Sequence, residues 1–87
     1  MYKAAIHVKL RPSILDPQGK TAQHALESLG FGSVDRVRMG KYVEIWIDED
    51  TVEEAERVAR EACERLLANP VMEDFEISLE KVETVAS

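Results

Sequence analysis

Cysteine occurs once in these 87 residues, at Cys63. An intramolecular disulfide is therefore excluded, as is a zinc site built on several thiolates of one chain, and a reducing compartment fits. Aromatic residues make up only 6% of the chain, and histidine appears twice. No apolar run approaches the roughly 20 residues of a membrane span or the core of a secretory signal, so a cytoplasmic protein with no membrane contact is expected. A basic excess is missing as well: 11 Lys and Arg stand against 17 Asp and Glu, for a net charge of −6. A nucleic-acid partner is disfavoured, because phosphate neutralisation needs a concentrated cationic surface.

The charge that is present is unevenly spread. Residues 1–43 carry seven basic and three acidic side chains (+4), whereas residues 44–87 carry four and fourteen (−10). Such a dipolar chain suits contacts with other proteins. Its length sets a second bound: residues 1–87 make one domain, and a domain this small withdraws only about 60% of its unfolded surface from water. Assembly with other chains would add the missing burial.

Residues 3–11 alternate, with Ala4, Ile6, Val8 and Leu10 on one face, and read as a half-buried strand that Pro12 ends. Asp16 followed by Pro17 reads as an N-cap and a first-turn proline. Ala22, Ala25, Leu26 and Leu29 then form the apolar stripe of a helix that Gly30 closes in a left-handed conformation. Asp35–Arg38 and Tyr42–Asp48 read as two strands of a hairpin, with the tip Arg38-Met39-Gly40 and Gly40 left-handed. Thr51 and Glu54 make a capping box for a second helix, whose stripe is Ala55, Val58, Ala59, Ala62 and Leu66. Its outer face pairs Glu53 with Arg57, Glu56 with Arg60 and Glu61 with Arg65. Phe75, Ile77 and Leu79 alternate in a final strand.

The order β-α-β-β-α-β predicts an α+β, ferredoxin-like sandwich: a four-stranded antiparallel sheet with two helices on one face. The other face should carry Ala5, His7, Lys9, Tyr42, Glu44, Trp46, Glu76, Ser78 and Glu80. Tyr42 and Trp46 share that face, and aromatics with a polar handle are enriched where proteins meet, so they are the candidates for self-association.

Catalytic groups are scarce. His7 and His24 have no Ser or Cys placed for nucleophilic chemistry, and Cys63 borders an apolar stripe where a free thiol acts as a small hydrophobe. The acids Glu49, Asp50, Glu53 and Glu54 fit the field of a helix N-terminus, so no metal and no other cofactor is assigned to the chain. Gly30-Phe31-Gly32 ends a helix instead of opening one and does not read as a phosphate loop.

Pro12, Leu15-Asp16-Pro17-Gln18-Gly19, Ala25-Leu26 with Leu29-Gly30-Phe31, and Val37-Arg38 with Gly40-Lys41 together resemble the PurS family, the small subunits of phosphoribosylformylglycinamidine synthase. The resemblance covers nearly the whole chain. It implies a non-catalytic role in the fourth step of purine synthesis, in which formylglycinamide ribonucleotide, ATP and glutamine yield formylglycinamidine ribonucleotide. The implied partners are a glutaminase subunit that releases ammonia and a large synthetase subunit, on which ATP and Mg are expected. The chain itself is expected to form a homodimer or higher homo-oligomer that holds the two together, and to be inactive alone.

Two patches are the candidate partner interface, because their residues lie at loop ends and outside the core periodicity. The first is the loop of Pro12, Leu15, Asp16, Pro17, Gln18 and Gly19, stiffened by proline. The second is the cationic tip of Arg36, Arg38, Gly40 and Lys41, suited to carboxylates. The alternative in a different class is a regulatory domain of the same fold that binds a small ligand such as an amino acid.

Overall fold

The alternation of residues 2–10 produces the central strand of the molecule. The computed structural model describes residues 1–83, and in it β1 (Tyr2–Leu10) buries Ala4, Ile6 and Val8 while turning His7 and Lys9 to solvent. β2 (Gly40–Ile47) and β3 (Glu73–Lys81) pair with β1 on either side, both antiparallel, in the order β2-β1-β3. Pairing Ile6 with Val43 and Ile77, and Ala4 with Ile45 and Leu79, stacks the apolar positions of all three strands in rows on one face.

That face is covered by α2 (Val52–Ala62). Thr51 caps it, its Oγ1 accepting from the Glu54 N–H at 3.2 Å, and Ala55, Ala59 and Cys63 are fully buried against the sheet. Small side chains along this seam let helix and sheet approach closely. Burial of a side chain the size of Ile6 or Val8 contributes about 1.5–3 kcal/mol. Glu54 does not reach back to complete a capping box; its carboxylate pairs with Arg57 at 3.0 Å, and Arg57 also meets Glu61 at 3.4 Å, while Glu56 and Arg60 pair as expected. Arg60 additionally lies over the Phe75 ring, 5.9 Å from its centre.

The end of this helix departs from the expected stripe. Cys63–Leu67 form a π-turn, closed by the Ala68 N–H donating to the Cys63 carbonyl at 2.9 Å. The wider turn makes Leu67 the residue that packs on the core, and Leu66 is 82% exposed.

Two features of the four-stranded, two-helix sandwich are not found. Residues 35–38 form no strand, so the sheet has three strands among the described residues, and the left-handed tip at Gly40 is absent because Gly40 begins β2 opposite Lys9. The backbone of this segment is held elsewhere, by Asp16 and by the Arg38 guanidinium. Glycine suits position 40 for a different reason: a Cβ there would lie 2.8 Å from the Val8 carbonyl oxygen. The three observed strands keep the order and directions they would have in the larger sheet; the missing one is an edge.

The second departure is α1 (Pro17–Ser28). Its ends follow the sequence signals, with Asp16 capping, Pro17 in the first turn and Gly30 at φ 97°. The Gly30 and Phe31 amides donate to Glu27 and Leu26 in a Schellman closure. Yet α1 does not lie on the sheet: only Gly19 among its residues is buried, and Leu29 is 73% exposed. The helix projects as an arm. The extents are 50 × 28 × 17 Å and the radius of gyration is 16.6 Å, against about 12 Å for a compact domain of this length.

Candidate functional site

The loop before α1 and the segment before β2 meet at one end of the sheet. Asp16, only 4% exposed, supplies both carboxylate oxygens to this junction. Its Oδ1 accepts from the Gly19 N–H at 2.9 Å, and its Oδ2 accepts from the Met39 N–H at 2.7 Å. These two amides, Met39 first, hold the carboxyl below its usual value. Arg38 closes the junction from the segment before β2, donating from Nη1 to the Ile14 carbonyl at 3.0 Å and from Nη2 to the Arg11 carbonyl at 2.9 Å. Gly19 is required by proximity: a Cβ there would fall 2.2 Å from the Val37 carbonyl oxygen.

Arg11 ties this junction to the sheet. Its N–H donates to the Met72 carbonyl, its Nη2 to the Pro70 carbonyl and its Nε to Asp74 Oδ1. Beside it lies an open groove of about 890 Å³, lined by Lys9, Arg36, Arg38, Lys41, Tyr42 and Asp74 among others. The two patches expected from sequence are thus one contiguous surface. Within it Pro12, Leu15, Pro17, Gln18, Arg36 and Lys41 face solvent, whereas Asp16 and Gly19 are buried and Arg38 is engaged with backbone carbonyls. Gly40 belongs to the β2 ladder.

The groove opens onto the uncovered face of the sheet. Tyr42, His7 and Glu76 form one cross-strand row and Trp46, Lys3 and Glu80 another. The His7 and Tyr42 rings lie 4.7 Å apart, and Lys3 meets Glu44 at 2.9 Å, raising the ammonium and lowering the carboxyl from their usual values. Tyr42 and Trp46 both remain exposed.

Groups that could do chemistry are dispersed. His24 lies on the exposed side of α1, and Cys63 is buried at the C-terminal end of α2, where desolvation pushes its thiol up. Among the described residues no three His, Cys, Asp or Glu side chains converge as metal ligands, and no helix is long and apolar enough to cross a membrane.

The family model of PurS, phosphoribosylformylglycinamidine (FGAM) synthase, matches residues 3–81. The chain belongs to the PurS family. It is accordingly a subunit of phosphoribosylformylglycinamidine synthase, in purine biosynthesis. The PurS subunit of Methanocaldococcus jannaschii is 42% identical over 83 residues, covering 95% of this chain and 100% of the relative. A solved structure of Bacillus subtilis PurS superposes with a TM-score of 0.85 at 44% identity, over 93% of this chain and 100% of that one. A chain in the structure of PurLQS from Thermotoga maritima superposes with a TM-score of 0.82 at 33% identity, over 91% and 96%.

The sequence did not reveal that Asp16, Gly19 and Arg38 serve each other. A signal was present, since an acid, a glycine and an arginine each stood in a loop with no core periodicity to explain them. What it lacked was the pairing across 23 residues that joins Asp16 to Met39.

Proposed function

We propose that this chain is the non-catalytic assembling subunit of its synthase, gripping a glutaminase subunit and a large ATP-dependent synthetase subunit so that ammonia passes between them. The reading is carried by the convergence of two solvent-facing loops into one surface at the end of the sheet, in a PurS-family chain whose similarity extends to a PurLQS complex. Ammonia is small and is protonated in bulk water, so holding two active sites in one assembly raises its delivery as the free base. ATP and Mg belong on the large partner, and the cytoplasm is where such an assembly works. Pro12, Leu15, Pro17, Gln18, Arg36 and Lys41 make the partner contacts, the prolines limiting the entropy lost on docking.

The same reading includes a homodimer or higher homo-oligomer. Leu29 and Phe31 are exposed at the end of the projecting arm, beside the half-buried Ala22 and Leu26, and the exposed Tyr42 and Trp46 give the sheet an aromatic face. Burial of both in an assembly removes apolar area that a chain of this size cannot bury alone.

Replacing Arg36 and Lys41 together by Ala tests the partner surface. Copurification with the two larger subunits should fall at least tenfold while the circular dichroism is unchanged. Copurification at the wild-type level would refute this surface as the point of contact.

A further inference from the structure

The junction of Asp16, Gly19 and Arg38 is what connects the α1 arm to the rest of the fold. α1 has no packing seam with the sheet or with α2, so within the single chain its direction is not set by helix–sheet or helix–helix interdigitation. A 12-residue helix is also marginal on its own in water. What fixes it is a set of polar contacts at its root: the Asp16 carboxylate between the Gly19 and Met39 amides, and the Arg38 fork on the carbonyls of Arg11 and Ile14. The Val37 carbonyl, lying where a Cβ of residue 19 would be, closes the same joint sterically.

We infer that Asp16 and Arg38 are positioning residues: together they form a clasp that orders and aims the α1 arm and the exposed loop residues beside it, without touching a partner themselves. Each is matched to this task by its chemistry. Asp16 offers two acceptors to two converging N–H donors, which asparagine cannot do, because its amide nitrogen would face one donor with another. Arg38 presents parallel donors to two separate carbonyls, which the single ammonium of lysine cannot reproduce. Burial leaves Asp16 no surface to offer another subunit. The inference rests on the assembly reading only for its consequence, loss of the complex; the clasp itself is a property of the single chain.

The experiment combines amide hydrogen exchange on the full chain in its own oligomeric state with copurification of the glutaminase and synthetase subunits. In Asp16→Asn one of the Gly19 and Met39 amides, whichever faces the new amide nitrogen, should exchange about tenfold faster or more, with faster exchange along α1 and unchanged exchange in β1. Copurification should fall in parallel. Arg38→Lys, at an exposed position where folding is not at risk, should show the same loosening and the same loss of partners although its charge is kept. Wild-type exchange at both Gly19 and Met39 in both variants would overturn the clasp. Loosened exchange with undiminished copurification would overturn its positioning role, and full binding by Arg38→Lys would mark Arg38 as a simple charge contact. Failure of the Arg36 and Lys41 test with the exchange result intact would instead strike the contact surface and leave the clasp standing.

Discussion

Replacing Leu66 and Leu67 one at a time by alanine separates two accounts of how α2 ends. A regular α-helix places Leu66 three turns beyond Ala55, on the buried face, and sends Leu67 toward solvent. The π-turn reverses these roles: Leu66 is 82% exposed and Leu67 packs on the core cluster. A fully buried Leu→Ala change costs about 2–5 kcal/mol. Leu67 is half-buried, so about half of that contact is at stake, roughly 1–2 kcal/mol. For a domain of this size each kcal/mol moves Tm by about 4–8 °C, and Leu67→Ala should therefore melt roughly 5–15 °C lower. Leu66→Ala should stay within about 0.5 kcal/mol of the wild type, as exposed substitutions do. Thermal unfolding followed by far-ultraviolet circular dichroism reads both. If Leu66→Ala proves as destabilising as Leu67→Ala, the assignment of the inward position is wrong.

Two further outcomes follow from the surface and the junction. Trp46→Glu puts a charge into the aromatic sheet face and should lower the mass seen by sedimentation; an unchanged mass would move the self-association to another surface, such as an exposed strand edge. The Asp16 carboxyl is depressed from its usual value of 3.8 by the Met39 and Gly19 amides. Its contribution to stability is therefore complete above about pH 4 and is lost as pH falls toward the folded value. Urea unfolding below that pH should weaken faster with acidification in the wild type than in Asp16→Asn, and equal slopes would contradict the assignment.

Much of the fold was legible because it is written in local patterns. The alternation of Ala4, Ile6 and Val8, the Asp16-Pro17 start, the Gly30 closure and the Thr51 cap each involve residues within a few positions of one another, and each was found where expected. The open sheet face, with Tyr42 and Trp46, was readable from the same period of two. The missing edge strand was not legible. Residues 35–38 have adequate strand character, but Arg38 bonds to carbonyls 24 and 27 residues away, and no local pattern encodes that preference. Leu66 fits an ideal helix, and the π-turn after Cys63 is what displaces it.

The α1 arm is a different kind of miss. Ala22, Ala25, Leu26 and Leu29 do form an apolar stripe, but a stripe specifies that a helix face is to be covered and says nothing about which chain will cover it. Assigning both helices to one sheet assumed that the chain completes its own core.

That assumption fails in a way consistent with an assembling role. A subunit that joins larger proteins gains nothing from burying all its apolar surface internally, because area buried in its own core is unavailable to a partner. It must nevertheless keep the remaining surface ordered, since each side chain frozen only on docking costs about 0.5–1.5 kcal/mol of affinity. The small core under α2 provides a folded base, while the junction at Asp16 carries order outward from that base to the arm without apolar contact. Hydrogen bonds suit this better than packing, because their directionality can fix an angle at a joint too thin to hold a hydrophobic cluster. The Leu15–Gly19 motif is thus explained from inside the chain: Asp16 and Gly19 hold the joint, and the exposed Leu15, Pro17 and Gln18 between and beside them are the side chains that the joint presents.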